Sequence, residues 1–352
     1  MEDLVLPQVE AAAKIEMQVP PGYQRIQMST KGKYGAPAVL HIRNFTVEEA
    51  LALGSIAQDE LPIKINALLQ AIILEKDVDV SKFYEAEVSE LCIHFYEAFY
   101  SNTLKEIEYA ITEADKEWMI REVYKGKRTA EYQNWLRGVE TGQIRHTYDI
   151  DLRTVQYYKV PEEVHKFIKY KRDDGFECWF QYPRFGDSAI LQKSLKEKFR
   201  QQDAVMGPLY KIYKNRQDAE ARLRRGENIA IEQIPDLDAD DEKAVRQYEL
   251  EKTAYIITTM KGMYLYKFNG EDVSGKDLAE RIELAKDPRI DFSLYQTVSD
   301  AFGKVEIGPV PKVKITNPIS GAIEEIDHPF RPLDLLAAIK HYKSDNASIE
   351  LV

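Results

Sequence analysis

The sequence predicts an α+β fold: an N-terminal helical unit packed with a small, mostly antiparallel β part, followed by a charged helical insertion and a C-terminal β-rich segment. Three observations lead there. Between Ser81 and Tyr100 the apolar residues Tyr84, Val88, Leu91, Phe95 and Phe99 recur every three or four positions, which places them on one helix face. Runs of β-formers flank Asp173-Asp174-Gly175, a hairpin-type turn signal. Residues 187–258 are charged and read as helical.

The elements follow in order. Pro7, Pro20, Pro21, Gly22, Gly32 and Gly35 break regular structure over residues 1–36, so this stretch is expected to be an extended arm, free or laid along a partner. Ala38–Arg43 reads as a strand. Thr46 and Glu49 match a capping box behind Phe45, and Leu51, Leu53 and Ile56 continue the helix. A second helix spans Pro62–Leu74 on the apolar face Ile65, Leu68, Leu69, Ile72 and Ile73. The aromatic helix 81–100 is the third, its stripe widened by Cys92 and Tyr96. Residues 104–138 read as helical and amphipathic, ended by Gly138 and Gly142. Thr147–Val160, Val164–Tyr170 and Phe176–Tyr182 are expected strands. Within 187–258, Gly207-Pro208 and Pro235 are expected to interrupt the helices, and the acidic run Asp236–Glu242 to open the last of them. Residues 263–268 form a short strand before an Asn269-Gly270 turn; Gly275–Ala285 and Phe292–Phe302 are helical, Lys304–Ile326 is β-like, and a helix over Pro332–Tyr342 closes the chain. The organisation expected is an arm (1–36), a helix-plus-β core (37–187), a charged helical region (188–290) and a C-terminal α/β segment (291–352).

With 352 residues, 44% hydrophobic and 30% charged, the chain is globular in type. Its formal net charge of -11 repels phosphate backbones, which argues against nucleic acid unless the positive charge is strongly segregated. Lys211, Lys214, Arg216, Arg222, Arg224 and Arg225 make 210–225 locally basic, read as a solvated helix face. Only two cysteines occur, Cys92 and Cys178, each within an apolar run, which suits free thiols in a reducing compartment. No apolar run is long enough for a membrane span, and the first residues lack the basic start and apolar centre of a signal peptide.

Two motifs invite a chemical reading. Phe185-Gly186-Asp187-Ser188 resembles the nucleophile block of GDSL-type esterases, and Glu325 precedes His328 by three residues in the right chain order. The serine lies far from the N-terminus, the acid is Glu, and the family's middle glycine and Gly-x-Asn-Asp blocks are missing; Ser188 reads better as a helix N-cap. Asp236, Asp238 and Asp240 match the first ligands of a calcium loop, but Asp241 stands where glycine is required and Gln247 where a bidentate Glu is required. The six histidines are dispersed, none at ligand spacing from another His or Cys, so neither metal nor cofactor is expected.

The residues that set the functional reading are His41-Ile-Arg-Asn-Phe-Thr-Val-Glu-Glu-Ala, Asp77-Val-Asp-Val80, Asp149-Ile-Asp-Leu152 and Phe176-Glu-Cys-Trp-Phe-Gln-Tyr-Pro-Arg-Phe-Gly-Asp187. Their order over residues 37–187 is similar to that in the baseplate hub assembly proteins of T-even-type contractile-tailed bacteriophages. The resemblance implies a viral tail protein, a hub subunit or an assembly factor for one, made in the host cytoplasm, with retention in the virion left open. It implies contacts with hub, tape-measure or neighbouring baseplate proteins, and no reaction. Tyrosines, 21 of them, suit such contacts. Tyr96, Phe99 and Trp179 are the expected contact residues. The alternatives are a hydrolase built on Ser188, Glu325 and His328, and a cellular adaptor or scaffold. Neither nucleic acid nor membrane is expected as a partner; oligomerisation within an assembly is.

Overall fold

The computed structural model describes residues 19–54, 61–224, 236–332 and 334–336. It is an α+β molecule in which small antiparallel sheets alternate with helices. The first two strands, β1 (Tyr23–Gln27) and β2 (Val39–Arg43), form a hairpin with Tyr23 opposite Arg43. Residues 19–36 are therefore not an extended arm, and residues 1–18 lie outside the described residues. Ile26, Met28 and Ala36 are buried, and the prolines and glycines of this stretch serve as turns at the hairpin ends rather than as breaks in an open chain.

Helix α1 (Val47–Gly54) starts as expected: the Thr46 amide donates to the Glu49 carboxylate at 2.8 Å and the Glu49 amide donates back to Thr46 Oγ1 at 3.3 Å. Phe45 packs on the Phe95 ring, 4.7 Å between centroids. Ile56 is outside the described residues. Helix α2 (Leu61–Ile72) and helix α3 (Glu85–Phe99) bury the apolar faces read from the sequence, Ile65, Leu69 and Ile72 against Val88, Leu91 and Phe95. Between them Asp79 caps a 3-10 turn over Val80–Lys82, accepting from the Ser81 amide and hydroxyl at 3.1 and 2.6 Å.

The amphipathic stretch 104–138 is not continuous helix. It opens with strand β3 (Thr103–Glu108), paired antiparallel with β4 (Thr147–Asp151). Helix α4 (Glu113–Trp118), a π-helical turn over Met119–Val123 and helix α5 (Ala130–Glu140) follow. Asp149 accepts from the Glu106 amide at 2.9 Å, at a bulge where Glu106 takes a left-handed φ of 57°. Such a bulge spoils the two-residue period by which a strand is recognised.

Strands β5 (Phe167–Lys171) and β6 (Glu177–Gln181) form the hairpin expected around Asp173-Asp174-Gly175, with Gly175 at φ 88°. Helix α6 (Asp187–Arg224) then runs for 38 residues, roughly 57 Å at 1.5 Å per residue. Pro208 does not interrupt it: the residue is exposed, so the carbonyl that loses its helical partner faces water. Pro235 lies outside the described residues. Helix α7 (Ala239–Tyr264) returns alongside, capped by Asp238, which accepts from the Asp241 amide at 2.8 Å. Strands β7 (Leu265–Phe268) and β8 (Glu271–Asp272) flank the Asn269-Gly270 turn, whose φ values of 53° and 84° need those residue types. Helices α8 (Leu278–Ala285) and α9 (Phe292–Phe302) and the hairpin β9 (Lys312–Thr316) with β10 (Ile323–Asp327) complete the fold.

Packing divides the chain differently from its linear segments. The main core joins β1–β4 and α1–α3 to the C-terminal hairpin through Val313, Ile315, Phe330, Leu335 and Leu336. A second core collects β5–β7, α8, α9 and the end of α7 around Phe176, Cys178, Phe180, Leu265 and Leu294. Strands β5 and β6 thus pack mainly with residues 263–302, while Ile168 and Tyr182 also reach Tyr84 and Ala86 at the start of α3. A separate small cluster, Tyr213, Leu237 and Val245, holds the far part of the α6–α7 hairpin.

Candidate interaction surface

The four-stranded antiparallel sheet has the order β5-β6-β7-β8. Side chains alternate across it, and paired residues share a face. Cys178 and Phe180 of β6 point inward with Ile168 and Tyr170 of β5 onto the helices. Their neighbours Glu177, Trp179 and Gln181 therefore point outward, opposite Lys171, Lys169 and Phe167. A register shift between Trp179 and Phe180 in the β6–β7 pairing places both Tyr266 and Lys267 on that outer face. The Tyr266 and Phe167 rings stack at 4.2 Å, and Phe167 meets Trp179 at 6.1 Å. Lys267 Nζ lies 4.1 Å and Lys169 Nζ 5.0 Å from the Trp179 ring centre. Trp179 Nε1 donates to Glu177 Oε1 at 2.6 Å, a bond that holds the Glu177 carboxyl below its ordinary range. The result is an aromatic and basic platform, partly open to solvent, on a sheet whose other face buries Cys178 and Phe180 and half-buries Ile168 and Tyr170.

Of the three expected contact residues, Trp179 alone lies on this platform. Tyr96 is 4% exposed and belongs to the main core, so it is not a contact residue. Phe99 is half-buried against the Phe95 ring at 5.3 Å. Phe167, Tyr266 and Lys267 were not singled out in the sequence. The alternation Lys166-Phe-Ile-Lys-Tyr-Lys171 carries the signal for Phe167, but the bulge hides Tyr266.

The esterase residues do not meet. Ser188 is exposed, and its hydroxyl donates to the Phe185 carbonyl at 3.0 Å, inside the first turn of α6. That helix begins at Asp187, so Ser188 is not the N-cap; Asp187 instead accepts from the Arg184 amide at 2.6 Å. His328 Nδ1 lies 3.1 Å from the Tyr148 hydroxyl beside the Phe330 ring, and burial lowers its basicity. Glu325 pairs with Lys312 at 3.5 Å. A cavity of about 330 Å³ adjoins Ser188, lined also by Asp187, Leu191, Met260 and Tyr264, and neither His328 nor Glu325 reaches it. Burial raises the Asp187 carboxyl and the Tyr264 phenol above their ordinary ranges there.

Asp238 is occupied as a helix cap, and among the described residues no group of three His, Cys, Asp or Glu side chains is placed to hold a metal ion. The basic stretch on α6 is largely paired: Lys214 with Glu249 at 2.6 Å, and Arg216 with Glu220 at 3.0 Å. Both cysteines are buried as free thiols, with the Cys178 thiol pushed up to about 12 by its apolar surroundings. No described helix is long and apolar enough to cross a membrane. Comparison with protein-family models, with curated proteins and with solved structures gives no match.

Proposed function

We propose that this protein is a non-catalytic binding subunit of a contractile phage tail, a baseplate hub component or an assembly factor for one, that works in the host cytoplasm. The observation that supports a binding role best is the outer sheet face, where Phe167, Trp179 and Tyr266 come together partly open to solvent with Lys169 and Lys267 beside them. Aromatic side chains bring large contact area at low entropic cost, and they concentrate in protein interfaces. The separation of Ser188, His328 and Glu325 weakens the hydrolase alternative.

The tail setting rests on the resemblance over residues 37–187. The motifs that carry it act as joints. Asp79 and Asp151 cap 3-10 turns, and the Phe185 and Gly186 amides donate to Phe83 and Ser81 carbonyls at 2.8 and 3.0 Å. The test is co-expression with hub, tape-measure and neighbouring baseplate proteins of a contractile phage, followed by size-exclusion chromatography. A stable complex that survives Ser188→Ala is expected. A chain that elutes alone from every combination, or a complex lost on Ser188→Ala, would count against the proposal.

A further inference from the structure

We infer that the free edge of β5 accepts an acidic, extended segment of a partner protein, which joins the sheet as an additional strand beyond β5. The inference rests on the binding role proposed above and specifies its partner.

The sheet order leaves β5 with a neighbour on one side only. Among the described residues, no backbone hydrogen bond runs from Phe167–Lys171 to any segment other than β6. An edge of this kind presents unpaired N–H and C=O groups, the template for strand addition. Charge then selects the partner. From Lys166 to Arg172 the chain carries four basic side chains and no acidic one, within a protein of net charge -11. The strand itself is thus locally basic, with Glu177 of β6 the acidic side chain facing it. Lys169 is paired with Glu177 at 3.4 Å and Arg172 with Asp174 at 3.5 Å; Lys171 lies opposite Glu177 across the β5–β6 pair, and Lys166 has no ion-pair partner among the described residues.

Alternation specifies the segment further. A strand added beside β5 lays every second side chain along Phe167, Lys169 and Lys171, where acidic groups fit. It lays the others along Ile168 and Tyr170, where apolar groups fit. A nucleic acid fits this surface less well. Single strands bind by stacking bases on the face of a platform with phosphates alongside. Here Glu177 holds a carboxylate at the centre of that face, bonded to Trp179. A peptide on the edge avoids it. Edge lysines also serve to repel stray strands, and a purely protective edge is an outcome of the test.

The experiment uses the full-length chain and fluorescent peptides of roughly ten residues, enough to span a strand of this length. One alternates Glu and Val, a second alternates Lys and Val, and an oligo(dT) of similar reach is the third probe. The Glu/Val peptide should bind, weaken with salt, and slow amide hydrogen exchange in β5. The double variant Lys169→Glu, Lys171→Glu should lose about tenfold in affinity with an unchanged melting temperature. No binding of the Glu/Val peptide, equal binding of the Lys/Val peptide, binding insensitive to the charge reversal, or binding without protection of β5 would each overturn the inference. Oligo(dT) binding in place of peptide binding would overturn it in favour of nucleic acid. Peptide binding by a chain that forms no tail complex would leave the edge assigned and reject the phage setting alone.

Discussion

Two buried carboxylates on α3 show how single residues hold the fold. Glu87 is fully buried, and its Oε2 accepts from the amides of Tyr84, Gly35 and Ala36 at 3.0 Å each. Burial raises its carboxyl above the ordinary range. Glu87→Ala leaves three amides without a partner and is expected to cost about 3 kcal/mol, while Glu87→Gln keeps an acceptor and costs far less, as read by urea unfolding. Glu90, 1% exposed, accepts from the amide and hydroxyl of Ser29. His94 sits between Glu90 and Glu97 at 3.6 and 3.4 Å. Burial opposes its charge, but the two carboxylates prevail and bring it up to about 9 from 6.5. A raised folded-state value means that this stabilisation is complete below the unfolded value and is lost as pH rises through about 9. The melting temperature of the parent chain should therefore fall more between neutral pH and pH about 10 than that of His94→Gln. The helical period of α3 was plain in the sequence, but the purpose of its acidic residues was not, because their partners lie some 50 to 60 positions away.

At the scale of elements, local signals were legible where chemistry is local. The Thr46–Glu49 box and the Gly175 and Asn269-Gly270 turns satisfy backbone groups within three or four residues. Strand β3, the supposed arm and the continuity of α6 were not legible, since pairing and packing override propensity there. Two glycines test the packing. A Cβ on Gly262 of α7 would lie 2.8 Å from the Ile282 amide nitrogen, so α7 and α8 meet at contact distance. A Cβ on Gly207 of α6 would meet nothing within 4 Å. Thermal unfolding should show Gly207→Ala stabilising by about 1 kcal/mol and Gly262→Ala destabilising by about 2 kcal/mol.

Across the whole molecule, long-range polar joints tie late elements to early ones. Asn317 is buried, and its amide donates to Tyr109, Asp115 and Glu324 at 2.9, 2.8 and 3.1 Å, which fastens the β9–β10 hairpin onto the N-terminal core. Asn317→Ala should loosen that hairpin, seen as faster amide exchange in β9 and β10 with the β5–β8 sheet unaffected. The sequence could not show that residues 312–336 complete a core begun at residue 26, nor that β6 pairs with β7, with Phe180 opposite Leu265 and Cys178 opposite Phe268. It did show one member of the candidate surface, Trp179, because an aromatic in a strand is visible by pattern. Its companions Tyr266 and Lys267 arrive through a bulge and a distant strand.

The proposed binding role rests on the outer face of that sheet, and the most direct measurement is complex formation by variants that change it alone. Phe167 and Trp179 are partly exposed, so the double variant Phe167→Ala, Trp179→Ala should fold with a melting temperature close to that of the parent. In co-expression with tail proteins, this variant should elute alone while Ser188→Ala elutes in the complex. Retention of the complex by the double variant, or its loss in Ser188→Ala, would contradict the account.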